Sequence, residues 1–399
     1  MLKDRHVLLG VTGGIAIYKV VDLVSKMKKE GVSLDVIMTK NAVKFVTPLT
    51  FQTMAQAEVH TDMFGLVNEM EVEHISLAQR AERILIAPAT ANIIGKIANG
   101  IADDMLTTVV MASKAKVIFA PAMNTTMFES PMVQENIKKL KSLGHDFLNT
   151  GTGLLACGDF GAGKMAEPVE ILEYLIMDFA PKDLRNKKIV ITAGPTMEAI
   201  DPVRYISNHS SGKMGYSIAK EARNRGADVV LITGPTSLEP PKNIEVVNVN
   251  TTEEMFNAVG SYFYDADCLI KSAAPSDYRP IKRSNNKIKK QDNDNLNIEL
   301  TRNMDIAYHY GNRKDKQVVV GFAAETENLL DYAKSKLQKK KFDFIVANDV
   351  SQEGAGFKHD TNVVTIIDKN LKDKSYPKMK KSEIAKIIID KVKEEIEAR

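Results

Sequence analysis

The chain has 399 residues, 44% of them hydrophobic and 26% charged, with a net charge of +3 at pH 7. That length exceeds one ordinary core and predicts two globular domains, while so small a charge gives no general argument for nucleic acid or an anionic membrane as partner. Two cysteines far apart, Cys157 and Cys268, exclude a disulfide framework and a four-cysteine zinc site, and they suit the reducing cytoplasm.

In chain order, the N-terminus carries Lys3, Asp4, Arg5 and His6 before a short apolar run, and no stretch approaches about twenty apolar residues, so neither export nor membrane insertion is expected. HVLLGVT at 6–12 predicts a strand, 15–30 an amphipathic helix that Gly31 ends, and SLDVIMT at 33–39, RILIAPAT at 83–90 and KVIFAPAM at 116–123 three further strands. Buried Val/Ile/Leu runs alternating with helices predict a parallel sheet covered on both faces, with ligands gathered beyond the strand ends.

The polar stretch APKDLRNKK at 180–188 follows the predicted helix EPVEILEYLIMDF at 167–179 and precedes a new strand, KIVITAG, at 188–194. It divides the chain into residues 1–187 and 188–399. The second part repeats the alternation at 227–234, 268–274, 317–325 and 342–349, then closes on an amphipathic helix with Ser382 as its expected N-cap.

Several strand ends carry polar groups. Gly13 and Gly14 open the first helix, whose free amides can hold a phosphate. The spacing is not GxGxxG, and Thr39 and Lys40 stand where a ribose-binding acid would follow the second strand, so a mononucleotide fits better than a dinucleotide. APATAN at 87–92 and PAMN at 121–124 sit at two more strand ends, where Thr90, Asn92 and Asn124 read equally as helix caps or as site residues. His74, in EVEHISLAQRAE, is an ordinary surface histidine or a base that titrates near neutrality.

Between Gly151 and Lys164 the run GTGLLACGDFGAGK reads as neither strand nor helix. Its five glycines permit close backbone approach to a ligand, and Cys157 lies among them. From Gly158 it nearly spells a P-loop, but Met165 replaces the Ser or Thr that would meet magnesium, so that reading fails chemically.

TGGIA, HISLAQ, APATANIIGKIANGIADDMLTT, PAMNTTM and LLACGDFGAGKMAEP together resemble the flavin-containing cysteine decarboxylases of coenzyme A biosynthesis, over residues 1–180. The resemblance implies a flavodoxin-like domain that binds FMN through Gly13, Gly14, Ile15, Thr39, Ala89, Thr90 and Asn92. It implies His74 as base, Asn124 as holder of the substrate carboxylate, Cys157 as proton donor, and Lys164 and Met165 as substrate contacts. Two positions depart from the family pattern: Phe128 replaces a usual Trp and Lys164 a usual Arg.

In the second half, DPVRYISNHSSGKMG at 201–215 precedes a helix and offers Arg204, Asn208 and Lys213 around a helix start, or plain turn chemistry. Asp277 follows another strand, and Lys282, Arg283, Lys287, Lys289 and Lys290 come soon after. Asp292 and Asp294 then reverse the charge and no aromatic platform is interleaved, so a triphosphate suits this stretch better than nucleic acid. Cys268, in an apolar strand, reads as a small core residue.

AGPTMEAIDPVRYISNHSSGKMG, SAAPSDYRP, KIKK, VVGFAAET and IVANDVS resemble the phosphopantothenate:cysteine ligases, over 189–370. This implies CTP and Mg2+, with Lys271, Ser272, Ala273, Asp277, Lys287, Met304, Asp305, Ile306, Ala307, Phe322, Lys336 and Lys340 around the nucleotide. Asn208 would steady an acyl cytidylate and Arg204 the substrate. Met304 stands where proline is usual. The implied fold is α/β, with two Rossmann-like three-layer domains. The implied partners are 4'-phosphopantothenate, L-cysteine and CTP, with a homo-oligomer and no nucleic acid or membrane. A related flavin decarboxylase or a prenyl-flavin-making enzyme acting on another acid would leave Cys157 and the ligase motifs without a use, and intact His74, Asn124 and Cys157 argue against a non-catalytic flavin-binding module in the first half.

Overall fold

The computed structural model describes residues 2–63, 72–154, 160–289, 296–325, 328–349, 356 and 359–399. Cys157, Lys290, Asp292 and Asp294 lie outside the described residues. The chain forms two compact units, Met1–Ala180 and Pro181–Arg399.

In the first unit a parallel sheet runs in the order Val59–His60, Ser33–Met38, His6–Val11, Arg83–Ala89, Lys116–Pro121, Asp146–Phe147. Chain order reverses between His6–Val11 and Arg83–Ala89, which opens a crevice at the carboxyl ends of those two strands. The strands are buried on both faces because alternate residues feed two cores. Val7, Leu9 and Val11 meet the helices Ile17–Lys29 and Pro168–Phe179, while Leu8, Ile84 and Ile86 meet the helices on the other side. Gly31 does end the first helix, at φ +79°.

The second unit has an eight-stranded sheet in the order Glu245–Asn248, Asp228–Thr233, Lys188–Ala193, Cys268–Lys271, Val318–Glu325, Phe344–Asp349, Thr361–Asp368, Asp373–Lys380. The first six strands are parallel and the last two antiparallel. Both units are three-layer α/β folds. Cys268 is fully buried in the apolar core, as its strand setting predicts.

Two expectations are corrected. The glycine run is a β-hairpin: Gly151–Leu154 pairs antiparallel with Phe160–Lys164. Its glycines suit strands because of what they press against. A side chain at Gly161 would strike Thr125, and Thr125 Oγ1 itself donates to the Ala162 carbonyl at 2.8 Å. The closing helix spans Lys381–Glu397, so Ser382 lies inside it. The Lys380 N–H is satisfied from within, by the Glu383 carboxylate at 2.9 Å.

Candidate functional site

A cavity of about 1020 Å3 opens at the carboxyl ends of the first unit's strands. Gly13, Gly14 and Ile15 reach it from the turn before Ile17–Lys29, Thr39 from the end of Ser33–Met38, and Thr90 and Asn92 from the start of Ala91–Ala98. The first helix has no side-chain cap and no acid in its first turn, so its positive end stays open to an anion. Ala89 is different: it is fully buried in the strand beneath, and its carbonyl accepts from Ala122 N–H at 3.0 Å.

Asn124, Lys164 and Met165 complete the opposite wall. Asn124 caps the helix Thr125–Glu129 and accepts from Thr126 N–H at 2.8 Å, while Thr90 accepts from Ile93 N–H at 3.4 Å. Thr90 and Asn124 are thus both helix caps that also line the cavity. The hairpin is fastened to this wall by Met123 N–H, which donates to the Gly163 carbonyl at 3.0 Å.

His74 does not join them. It is half-buried on the helix Glu73–Arg80 and does not line this cavity. Its neighbour Glu73 bonds His60 across the helix start, and Glu58, His60 and Glu73 bring their ligand atoms within 4.8 Å of one another.

Residues not singled out from sequence also face the cavity. Thr12 Oγ1 donates to the Pro88 carbonyl at 2.6 Å and so stitches the ends of two adjacent strands. Lys96 pairs with Asp103 at 2.7 Å, and that carboxylate holds the ammonium above its usual range. The acidic pair Asp103–Asp104, inside one of the recognised motifs, was the available signal.

The second unit has a cavity of about 610 Å3, again at strand ends. Asn208, Lys271, Ser272, Ala273, Asp277 and the 304–307 turn line it, with Phe322, Lys336 and Lys340. A buried network shapes the 272–277 wall. Thr196 bonds Thr252 Oγ1 and accepts from Ser276 N–H, both at 2.9 Å, and Glu198 accepts from Thr252 N–H at 2.9 Å. Asn208 Nδ2 donates to the carbonyls of Ala274 and Pro275, each at 3.1 Å.

Asp305 caps the helix Ile306–Arg313 and pairs with Lys340 at 2.8 Å. Burial alone would raise its carboxyl, but the Lys340 and Tyr308 N–H bonds outweigh it and hold the group below the usual carboxylate range.

Arg204 and Lys287 stand outside this lining and Lys287 is exposed. Asp201 organises both segments, accepting from Val203 and Arg204 N–H at 2.8 Å, from Ile288 N–H at 3.2 Å and from Arg204 Nε at 3.0 Å. Burial opposes its charge, yet these backbone donors pull it down to about 2.

Lys381, not singled out from sequence, also lines the cavity. Its Nζ donates to the carbonyls of Gly356 and His359 at 3.0 and 2.6 Å, and burial lowers it to about 8.

Residues 1–180 match the family described as Flavoprotein, and residues 184–396 match the DNA/pantothenate metabolism flavoprotein C-terminal domain. The chain is 46% identical to the coenzyme A biosynthesis bifunctional protein CoaBC of Bacillus subtilis over 98% of this chain and 97% of that one. Identity to the protein of the same name from Escherichia coli is 40%, over 98% and 97%. A solved C-terminal domain of such a protein aligns with 55% of this chain and 100% of its own, at 41% identity and a TM-score of 0.48.

Proposed function

The chain belongs to the family of bifunctional coenzyme A biosynthesis proteins, and from that premise we propose which residues carry each of its two reactions. The protein is a phosphopantothenate–cysteine ligase in its second unit and a phosphopantothenoylcysteine decarboxylase in its first. The first unit is a flavoprotein that takes FMN. What most supports the residue assignment is that each unit has its own cavity at the carboxyl ends of its sheet, lined by its own motif residues.

The ligase reaction uses CTP. The carboxylate of 4'-phosphopantothenate attacks the α-phosphate and pyrophosphate leaves, forming an acyl cytidylate; the amine of cysteine then attacks the acyl carbon and CMP leaves. Lys336 and Lys340 neutralise phosphate charge, and Phe322, Met304, Asp305, Ile306 and Ala307 shape the nucleotide's seat. Asp277, Lys271, Ser272 and Ala273 form its other wall, with Asn208 steadying the acyl cytidylate. Arg204 and Lys287, held as a pair of segments by Asp201, meet the substrates from the rim. Mg2+ accompanies the triphosphate; among the described residues no trio of ligating side chains lies in this cavity, so phosphate oxygens and water would supply most of its shell.

FMN fits the first cavity, where the open helix end at Gly13, Gly14 and Ile15 suits its phosphate, and Thr39, Thr90 and Asn92 line the remaining path above Ala89. FMN supplies, when bound, the two-electron chemistry at the substrate thiol that eases loss of carbon dioxide. Asn124 donates to the substrate carboxylate and orients it, and Lys164 and Met165 close on the substrate. Cys157 gives a proton as the ene-thiol is reduced to 4'-phosphopantetheine. His74 takes the substrate proton. His74 does not line its own chain's cavity, so in this reading a second copy of the chain presents it, in a homo-oligomer.

No helix among the described residues is long and apolar enough to cross a membrane. We place the enzyme in the cytoplasm, where unpaired thiols persist.

Purified protein given 4'-phosphopantothenate, cysteine, CTP and magnesium should yield 4'-phosphopantetheine, identified by mass. Flavin-loaded, folded protein that makes neither this product nor phosphopantothenoylcysteine would refute the reading. Cys157→Ser should still release carbon dioxide and stop before the final reduction. Wild-type yield of 4'-phosphopantetheine from that variant would remove Cys157 as the acid.

A further inference from the structure

Lys271 ends the strand Cys268–Lys271 and continues the face that Leu269 gives to the apolar core. It is 6% exposed, lines the ligase cavity, and its Nζ meets no hydrogen-bond partner among the described residues. The Ser276 hydroxyl on the same cavity wall is also buried and unpartnered. Leaving a buried amine and a hydroxyl unsatisfied costs free energy, so this wall is built for groups that substrates bring.

The charges around Lys271 separate it from the other cations. Lys340 is tied to Asp305 at 2.8 Å, Lys213 to Asp360 at 2.7 Å, and Lys381 to two backbone carbonyls. Lys336, from the helix Leu329–Lys339, also faces the Lys271 amine, while His209 and Asp277 line the cavity farther along. Burial first, then repulsion from Lys340, pushes Lys271 down to about 7, against a weaker pull from Asp305.

We propose that Lys271 is the base that takes a proton from the ammonium group of the incoming cysteine and so frees the amine that attacks the acyl cytidylate. This rests on the ligase reading above. An ammonium has no lone pair, and a free α-amino group keeps its proton up to about pH 8, so at neutral pH the reaction needs an acceptor. The proton moves to Lys271 Nζ, the nitrogen lone pair forms the bond to the acyl carbon, and CMP departs with the electrons of the broken acyl–oxygen bond. Asn208 reaches the loop directly after Lys271 through the Ala274 and Pro275 carbonyls, so the amine and the group that steadies the acyl cytidylate share one wall. A bound triphosphate keeps Lys271 charged; departure of pyrophosphate releases it as a base for the second step.

The test uses the full chain with Lys271→Met and Lys271→Arg. Pyrophosphate release from CTP and 4'-phosphopantothenate without cysteine should fall by about tenfold in Lys271→Met, which removes a charge from the nucleotide's wall, and by less in Lys271→Arg, which keeps that charge but cannot serve as a base. Capture by cysteine near neutral pH should slow by about 100-fold in both variants, and the deficit should shrink toward about pH 9, where cysteine loses its own proton. Hydroxylamine, already neutral near pH 7, should capture the acyl cytidylate at the wild-type rate. In Lys271→Arg, a pyrophosphate burst that falls as far as cysteine capture, or hydroxylamine capture that falls equally, would overturn the proposal in favour of a binding or packing role. Absence of pyrophosphate from the wild-type protein would instead overturn the ligase reading itself, and this inference with it.

Discussion

Gly163→Ala is expected to lower decarboxylation by at least about 100-fold while ligation stays within about twofold of wild type. Gly163 sits at φ +113°, a backbone region that L side chains rarely occupy, and a Cβ there would overlap the carbonyl oxygen of Met123. Strain of this kind costs about 1–3 kcal/mol, and overpacking against backbone adds about as much. The chain relieves both by moving the hairpin off the 123–124 loop, which breaks the Met123 N–H bond to Gly163 and shifts Asn124 and Lys164 together. A shift of about 1 Å is enough to spoil a substrate's alignment. The two reactions can be assayed separately, decarboxylation from supplied phosphopantothenoylcysteine and ligation from its own substrates. Wild-type decarboxylation in this variant would show that the hairpin's seat is not needed.

Gly234→Ala should do the reverse, lowering ligation by about 100-fold and sparing decarboxylation. Gly234 follows the strand Asp228–Thr233, and a Cβ there would overlap the Pro195 carbonyl oxygen and come within 2.8 Å of its carbon. Gly234 is also held from the other side, where its N–H donates to the Ala193 carbonyl at 3.0 Å, and Gly194 next to it sits at φ +75°. Pro195 pairs with Ala274, and the next residue, Thr196, anchors Ser276, so displacing Pro195 moves the 272–277 wall that carries the proposed nucleotide contacts. Unfolding of the second unit should also come at lower denaturant, by about 1–3 kcal/mol. Ligation unchanged with the variant folded would disconnect that wall from the chemistry.

The central strands were legible because buried parallel strands write themselves as short apolar runs, and RILIAPAT and KIVITAG begin and end within a residue or two of the observed elements. The outer strands Val59–His60, Asp146–Phe147, Glu245–Asn248, Thr361–Asp368 and Asp373–Lys380 carry only short or interrupted runs and were missed. The hairpin at 151–164 was not legible either. Its pairing depends on Thr125 and Met123 pressing on Gly161 and Gly163, contacts made by a segment about forty residues earlier in the chain. Ser382 failed as a cap for a similar reason: Glu383 satisfies the Lys380 N–H from inside the helix, and side-chain direction, not residue type, decides between the two.

The sequence by itself determined the two-unit α/β organisation, the family and a part of each cavity's lining, because motif residues at strand ends are local features that survive without knowledge of contacts. Only the tertiary structure separated Ala89, which is buried, from Thr90, which is not wholly so, and placed His74 away from its own cavity. It alone distinguished Lys271 from the other lysines of its cavity. The reason is physical: whether an amine is desolvated and unpartnered depends on which helices and loops close over it, and no spacing along the chain encodes that.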